Sequence, residues 1–297
     1  MPMIETRDGT QLYVKSWGQG PAVVLIHGWP LNADSWDPVM NALAESGFRA
    51  IAYDRRGFGR SDQPDGGYDY DTFADDLADV LKATDAQSDT ALVGFSMGGG
   101  EIARYLSRHG AQGIARVALV SSVVPYMAKT DDNPDGVPSD TFDQMTQGML
   151  EDRAKFMGQF FKEFYGVGLL TQPVSDEQLK LSWTHAMQAG LKPTLLAAKA
   201  FATTDFRPDL PSFTVPTLVI HGTSDKTVPI DATGRAVAKA VPHAQIVEYS
   251  GEPHGVFATV QERLITDLTD FLSGRPAEDR QPAIDAITAE MLTNPHV

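Results

Sequence analysis

Short apolar runs that alternate with segments of helical periodicity restrict the fold of this chain more than any other feature. Ala22–His27, Arg49–Asp54 and Thr90–Phe95 are runs of this kind. Strands that are buried on both faces of a parallel sheet have such unbroken apolar sequences. The same pattern predicts further strands at residues 12–17, 116–123, 216–221 and 245–249. We therefore expect an α/β fold with a mostly parallel sheet flanked by helices.

Helical patterns lie between these runs. In one of them Phe73, Leu77, Val80 and Leu81 recur at spacings that place them on one helix face. The predicted helices cover residues 36–46, 70–84, 98–107, 231–240 and 259–272.

The pattern changes between residues 125 and 211, where strand-like runs disappear. Residues 142–150 and 152–165 have helical patterns, and the segment is rich in methionine and aromatic residues. We expect a helical lid here, inserted into a core domain formed by residues 1–124 and 212–274. Residues 275–297 form a C-terminal extension in which Ile284, Ile287 and Met291 recur at helical spacing. A docked helix, a contact in a homo-oligomer and a loose tail all remain open for it.

Composition excludes several classes of function. The 297 residues carry a formal net charge of −15, which disfavours nucleic acid and anionic membrane as partners because both require a basic face. The chain has no cysteine, so thiolate catalysis, disulfides and Cys-ligated metal sites are excluded. It has no apolar stretch of signal-peptide or membrane-spanning length, and we expect a cytoplasmic protein.

No metal or cofactor is expected. Residues 131–136 (DDNPDG) resemble the beginning of a calcium-binding loop. Position twelve of that loop is Phe142, where a bidentate glutamate is required, and Pro134 interrupts it. The glycines at residues 98–100 also lack the lysine and serine or threonine of a phosphate-binding loop.

The strongest chemical signal is a Gly-x-Ser-x-Gly motif around Ser96. The five residues alone are weak evidence, but here they follow an apolar strand and open a predicted helix. Glycine is needed at such a turn because two backbone segments approach too closely for a Cβ atom. The turn would expose the Ser96 hydroxyl above the sheet, which makes it a candidate nucleophile.

A serine nucleophile needs a base, and the base needs an orienting acid. Asp225 follows the predicted strand that ends at His221, and His254 follows the next strand. All three candidates therefore lie at the C-terminal ends of strands, in the order serine, aspartate, histidine. His221 itself is assigned to a strand, and His27 is expected to fix the neighbouring loop.

Two backbone N–H groups are expected to form an oxyanion hole. Met97 supplies one, because it follows the nucleophile directly. The loop after an early strand, residues 27–30, should supply the other. Trp29 is the expected donor there, since Pro30 has no N–H.

Together these motifs resemble the α/β-hydrolases of the cofactor-free haloperoxidase, perhydrolase and arylesterase group. The resemblance covers about residues 3–273, and it implies an eight-stranded sheet. The matching stretches are residues 27–30 (HGWP), 54–62 (DRRGFGRSD), 94–101 (GFSMGGGE), 204–209 (TDFRPD), 221–225 (HGTSD) and 253–255 (PHG).

The resemblance implies hydrolysis of small aryl and alkyl esters and formation of peracids from carboxylic acids and hydrogen peroxide. Proline after the oxyanion-hole residue is typical of the perhydrolases, and Pro30 fits that pattern. Pro30 restricts Trp29 and would direct its carbonyl group toward the acyl-enzyme. The residues expected to contact substrate are Trp29, Pro30, Met127, Phe142 and Val228.

Three alternatives stay open. A carbon–carbon hydrolase or a lactone hydrolase uses the same three residues. A noncatalytic binding module on this scaffold is the alternative from another class, although such a protein usually loses one of the three. Dehalogenases and epoxide hydrolases place aspartate at the nucleophile position, so Ser96 argues against both.

Overall fold

The computed structural model describes residues 3–275, and its core is one eight-stranded sheet. The strand order is β1-β2-β4-β3-β5-β6-β7-β8, in which β1 and β2 are antiparallel to their neighbours and the other pairings are parallel. The mostly parallel sheet and its eight strands are therefore confirmed. The strands are β1 (Met3–Glu5), β2 (Gln11–Trp17), β3 (Ala22–Ile26), β4 (Arg49–Tyr53), β5 (Thr90–Phe95), β6 (Ile114–Val120), β7 (Thr217–Gly222) and β8 (Ala244–Tyr249).

Helices connect and flank the strands. The helix α1 contacts α9, and α2 contacts α3. The helices are α1 (Asp37–Glu45), α2 (Tyr70–Ala83), α3 (Met97–His109), α4 (Ser139–Phe164), α5 (Asp176–Gln188), α6 (Leu191–Thr203), α7 (Gly234–Ala240), α8 (Val256–Thr259) and α9 (Gln261–Leu272).

Some predicted boundaries were wrong. The strand predicted to end at residue 123 ends at Val120, because the next residue, Ser121, has a φ of 44°. The helix predicted from residue 231 begins at Gly234. The last predicted helix, residues 259–272, begins instead at Gln261, because Val260 has a φ of −136°. A short helix that was not predicted, α8, precedes it.

The segment between β6 and β7 contains α4, α5 and α6. The two helical patterns predicted there belong to α4, which is interrupted at Asp152 with a φ of −156°. The domain boundaries at residues 124/125 and 211/212 stay a prediction. The predicted helical pattern of Ile284, Ile287 and Met291 lies outside the described residues.

The topology places four loops beside one another. The strands β3 and β5 are parallel neighbours, and so are β7 and β8. Their C-terminal ends are therefore on one edge of the sheet, and they lead to Trp29, Ser96, Asp225 and His254. No helix within residues 3–275 is long and apolar enough to cross a membrane.

Candidate active site

Ser96 lies in a sharp turn between β5 and α3, with a φ of 53° and a ψ of −118°. Positive φ is uncommon for a residue other than glycine, so the surrounding structure must impose it. A Cβ atom at Gly94 would lie 2.6 Å from the carbonyl oxygen of Gly98, and one at Gly98 would lie 2.5 Å from that of Ile26. Glycine at both positions is therefore required for this turn.

A chain of hydrogen bonds joins the three predicted side chains. The Ser96 Oγ atom is 3.0 Å from His254 Nε2, and His254 Nδ1 is 2.6 Å from Asp225 Oδ2. Because the carboxylate accepts from Nδ1, Nε2 is left to accept the hydroxyl proton of Ser96. The exposed fractions are 5% for Ser96, 7% for Asp225 and 1% for His254. This arrangement is suited to deprotonation of Ser96 by His254.

Asp225 is held by its own loop as well as by His254. Its Oδ1 atom accepts hydrogen bonds from the backbone N–H groups of Thr227 at 2.9 Å and Val228 at 2.8 Å. Burial acts to raise the pKa of Asp225, but the charge of His254 and hydrogen bonds from His221 and His254 lower it to about 2. The carboxylate is therefore ionised at neutral pH and fixed in orientation.

His221 is a contact of Asp225 that the sequence analysis missed. Its Nε2 atom is 2.9 Å from the carbonyl oxygen of Val228 and 3.2 Å from Asp225 Oδ2. The residue does lie in β7, as predicted, but its side chain faces the acid loop. The available signal was its position four residues before Asp225, at the end of the same strand.

Aromatic rings enclose the His254 imidazole. The ring of Phe95 is 4.9 Å from it and the ring of Phe164 is 4.8 Å, measured between centroids. Phe164 belongs to α4, so the segment between β6 and β7 forms part of the wall around the predicted base. These rings keep the imidazole in place and limit its access to water.

The two predicted oxyanion donors lie beside Ser96 with free N–H groups. Within residues 3–275, neither the backbone N–H of Trp29 nor that of Met97 has a hydrogen-bond acceptor, although both residues are buried. The chain before Trp29 is close to the nucleophile, since a Cβ atom at Gly28 would lie 2.9 Å from Ser96 Cβ. Buried N–H groups are rarely left unpaired, so this pair is available to a bound oxygen atom.

The Trp29 side chain links the sheet to the helical segment. Its Nε1 atom donates to the carbonyl oxygen of Thr194 at 3.0 Å. Its ring also makes edge contacts with Phe160 and Phe201, at centroid distances of 5.2 and 5.6 Å. Trp29 thus contacts both α4 and α6 while its backbone borders the nucleophile.

A mainly apolar cavity of about 290 Å³ opens above Ser96. Four of the residues predicted to contact substrate line it, namely Trp29, Met127, Phe142 and Val228. The other lining residues are Val123, Val137, Thr141, Met145, Phe156, Gln159, Phe160, Glu163, Phe201, Lys226 and Thr227.

The contact between Pro30 and substrate stays a prediction. Pro30 is buried and follows Trp29 through a cis peptide bond, but it is not among the described residues that line the cavity. The Trp29 side chain projects into the cavity, whereas Pro30 lies beyond it in the chain. Pro30 is thus joined to the cavity wall through Trp29, the residue that it follows.

The mouth of the cavity is polar. Gln159, Glu163 and Lys226 line both the inner cavity and an outer cleft of about 760 Å³. All three side chains are exposed. Among residues 3–275, no group of three or more His, Cys, Asp and Glu residues is arranged to hold a metal ion.

Comparison with known proteins assigns the chain to a described family. Residues 21–259 match the family model described as the alpha/beta hydrolase fold. A non-heme chloroperoxidase of Kitasatospora aureofaciens is 43% identical over 275 residues, which are 92% of this chain and 100% of that protein. A bifunctional esterase/perhydrolase of Acinetobacter calcoaceticus is 37% identical over 92% of this chain and 99% of its own length.

Solved structures agree with these relatives. A bromoperoxidase from Bacillus anthracis superposes with a TM-score of 0.88 at 42% identity, covering 91% of this chain and 99% of that one. An esterase from Exiguobacterium antarcticum superposes with a TM-score of 0.87 at 29% identity, covering 92% and 99%. The resemblance identified from the sequence motifs is therefore confirmed.

Proposed function

The chain belongs to the alpha/beta hydrolase fold family and to its non-heme haloperoxidase group, and on that premise we propose that it is a serine esterase and perhydrolase. Its substrates are small carboxylic esters, and hydrogen peroxide replaces water as acyl acceptor in the perhydrolase reaction. The observation that carries the proposal is the chain of hydrogen bonds from Ser96 through His254 to Asp225 at the floor of an apolar cavity.

The first half of the reaction forms an acyl-enzyme. His254 Nε2 takes the proton of the Ser96 hydroxyl while Oγ attacks the ester carbonyl carbon. The resulting oxyanion accepts hydrogen bonds from the N–H groups of Trp29 and Met97, which have no other acceptor among the described residues. His254 then gives the proton to the leaving group, which is an alcohol when the acyl donor is an ester and water when it is a carboxylic acid. Asp225 stabilises the imidazolium cation between these two transfers.

The second half transfers the acyl group to water or to peroxide. His254 takes a proton from the acceptor, whose oxygen attacks the acyl carbon, and the proton is then returned to Ser96 Oγ. Water gives a carboxylic acid, and hydrogen peroxide gives a peracid. The peracid oxidises halide in solution and is itself reduced to the carboxylic acid, so halide oxidation requires no further group in the site.

The cavity supports small substrates with apolar acyl or aryl groups. Its volume of about 290 Å³ lies at the lower end of small-molecule sites, and its walls are mostly aliphatic and aromatic. Relatives named as an esterase/perhydrolase and as non-heme chloroperoxidases support both halves of the proposal.

Substitution of the nucleophile tests the esterase reaction. We expect Ser96→Ala to lower p-nitrophenyl acetate turnover by at least about a thousandfold. A fluorophosphonate probe should label the wild-type protein and not this variant. The control is Ser224→Ala, which changes an exposed serine beside the acid and should leave both rates unchanged. An unlabelled wild-type protein without turnover would instead indicate a noncatalytic binding module.

A carboxylate requirement tests the perhydrolase reaction. With hydrogen peroxide and bromide, we expect bromination of an acceptor dye only when acetate or another short carboxylate is added. Peracetic acid should be detectable when bromide is left out. Bromination at the full rate without carboxylate would overturn the proposed route through a peracid.

A further inference from the structure

Arg55 joins the two segments that carry the predicted oxyanion donors. It lies just after β4, and its Nη2 atom donates to the carbonyl oxygen of His27 at 2.8 Å. Its Nε atom donates to Glu101 Oε2 at 2.7 Å. His27 is two residues before Trp29, and Glu101 is four residues after Met97 in the first turns of α3. One guanidinium group therefore connects both segments.

His27 completes the connection on the Trp29 side. Its Nδ1 atom is 2.9 Å from the carbonyl oxygen of Gly28, and its Nε2 atom accepts the backbone N–H of Arg55 at 3.0 Å. This pattern requires a neutral imidazole with its proton on Nδ1. Burial, followed by the charge of Arg55, lowers the pKa of His27 well below its ordinary value, so the pattern persists at neutral pH.

Both charged side chains are completely buried. The exposed fraction is 0% for Arg55 and 0% for Glu101, and Tyr53 Oη also donates to Glu101. The Arg55 Nη1 atom has no hydrogen-bond partner among the described residues. A buried ion pair of this kind adds little net stability, because the desolvation of the two charges offsets their attraction. Stability alone is therefore a poor reason for this pair.

We propose that Arg55 and Glu101 are a positioning pair that sets the separation of the Trp29 and Met97 N–H groups. The proposal rests on the proposed function, in which those two groups bind the oxyanion. Donors of this kind stabilise a transition state only when they are held at 2.7 to 3.1 Å from the developing charge, so small displacements are costly. Arg55 resists such displacements because it forms hydrogen bonds both to the loop that follows β3 and to α3.

The neighbouring residue supplies a matched control. Arg56 makes two bonds of 2.6 Å to Asp76, and both side chains are nearly as buried as the first pair. Asp76 belongs to α2, and neither residue bonds to residues 27–29 or to α3. Replacement of this pair should therefore leave the oxyanion donors in place.

Apolar replacement of the pair is the decisive experiment. The test variant is Arg55→Met/Glu101→Leu with Tyr53→Phe, which removes the hydroxyl that would lose its acceptor. Substitutions of this type often preserve or increase stability. The control variant is Arg56→Met/Asp76→Leu. Circular dichroism and thermal unfolding establish that both are folded.

Two measurements separate positioning from simple stabilisation. We expect the test variant to lower kcat for p-nitrophenyl acetate at least tenfold while KM stays within twofold of wild type. The inhibition constant of phenylboronic acid should rise by a similar factor, because its adduct with serine places an anionic oxygen between the two N–H groups. The control variant should keep the wild-type kcat and inhibition constant.

Each result supports or overturns the proposal. A folded test variant with wild-type kcat and boronate affinity overturns it and leaves the proposed function intact. Equal losses in the test and control variants overturn it too. If the test variant does not fold, Arg55→Lys replaces it and must lower kcat without raising KM. If the wild-type protein neither turns over the ester nor binds the boronate, the proposed function fails and this inference falls with it.

Discussion

Asp225 Oδ2 lies 3.2 Å from the Nε2 atom of His221, on the strand that leads to the acid loop. The same imidazole nitrogen donates to the carbonyl oxygen of Val228, so it carries the proton and presents it to the carboxylate. The other ring nitrogen, Nδ1, is buried without a hydrogen-bond partner among the described residues. His221 is therefore arranged as a fixed donor beside the acid.

Removal of that donor should weaken catalysis more than binding. We expect His221→Leu to lower kcat for p-nitrophenyl acetate by at least about tenfold, in line with one lost hydrogen bond to a charged group, with KM little changed. His221→Gln retains an N–H donor and should recover most of the rate. Steady-state kinetics of both variants measure this, and equal kcat values for the leucine variant and the wild type would contradict it.

The Asp225 carboxylate should also make stability depend on pH. Its pKa is about 2 in the folded protein and 3.8 in a model peptide, so folding favours the ionised form. The contribution is fully present above about pH 4 and is lost as the pH falls toward 2, and the shift corresponds to about 2 kcal/mol.

Urea unfolding of the wild type and Asp225→Asn measures this contribution. The difference between their free energies of unfolding is compared at pH 5, where the carboxylate is fully ionised, and at lower pH. It should shrink by about 2 kcal/mol as the pH approaches 2, because protonated aspartate and asparagine are then both neutral. A difference that does not change with pH would show that the carboxylate charge adds no stability.

The sequence predicted that Ser96, Asp225 and His254 lie on one edge because the ends of strands can be identified from local apolar runs. Unbroken apolar runs identify the strands, and the residues after them must share an edge when the strands are parallel. The contacts of Arg55 with Glu101 could not be predicted in this way. The two residues are 46 positions apart, and their pairing depends on how α3 packs against the loop that follows β4.

The helices of the segment between β6 and β7 show a second limit of structure prediction from the sequence. The buried residues of α5 include Ser182, His185 and Ala186, while Leu181 is 48% exposed. The helix therefore lacks the apolar stripe on which helix prediction depends. The edge strand β1 was not predicted for a related reason, because it has three residues and pairs on one side only.

Phe142 should limit the length of the acyl group. It lines the inner cavity, and Phe142→Ala removes its ring from that wall. Each buried methylene is worth about 0.8 kcal/mol, so room for two more should raise the hexanoate-to-acetate ratio of kcat/KM roughly fifteenfold. p-Nitrophenyl esters of increasing length measure the ratio.

The control for this prediction is Leu150→Ala in the same helix. Leu150 is 56% exposed and does not line the cavity, so the ratio should not change. A rise in both variants would mean that the helix, rather than the Phe142 ring, limits chain length.

Pro30 should favour peroxide over water as the acyl acceptor. Pro30 follows Trp29 directly, and a proline restricts the residue before it to extended conformations. We propose that this restriction directs the Trp29 carbonyl group toward the acyl-enzyme, where it would accept a hydrogen bond from peroxide. We expect Pro30→Leu to lower the ratio of peracetic acid formation to ester hydrolysis roughly fivefold, the equivalent of one hydrogen bond of about 1 kcal/mol.

Both rates are measured on one preparation, so a general loss of active protein lowers them equally and leaves the ratio unchanged. An unchanged ratio in a fully active variant would remove Pro30 from the choice of acceptor and leave that choice to the cavity walls.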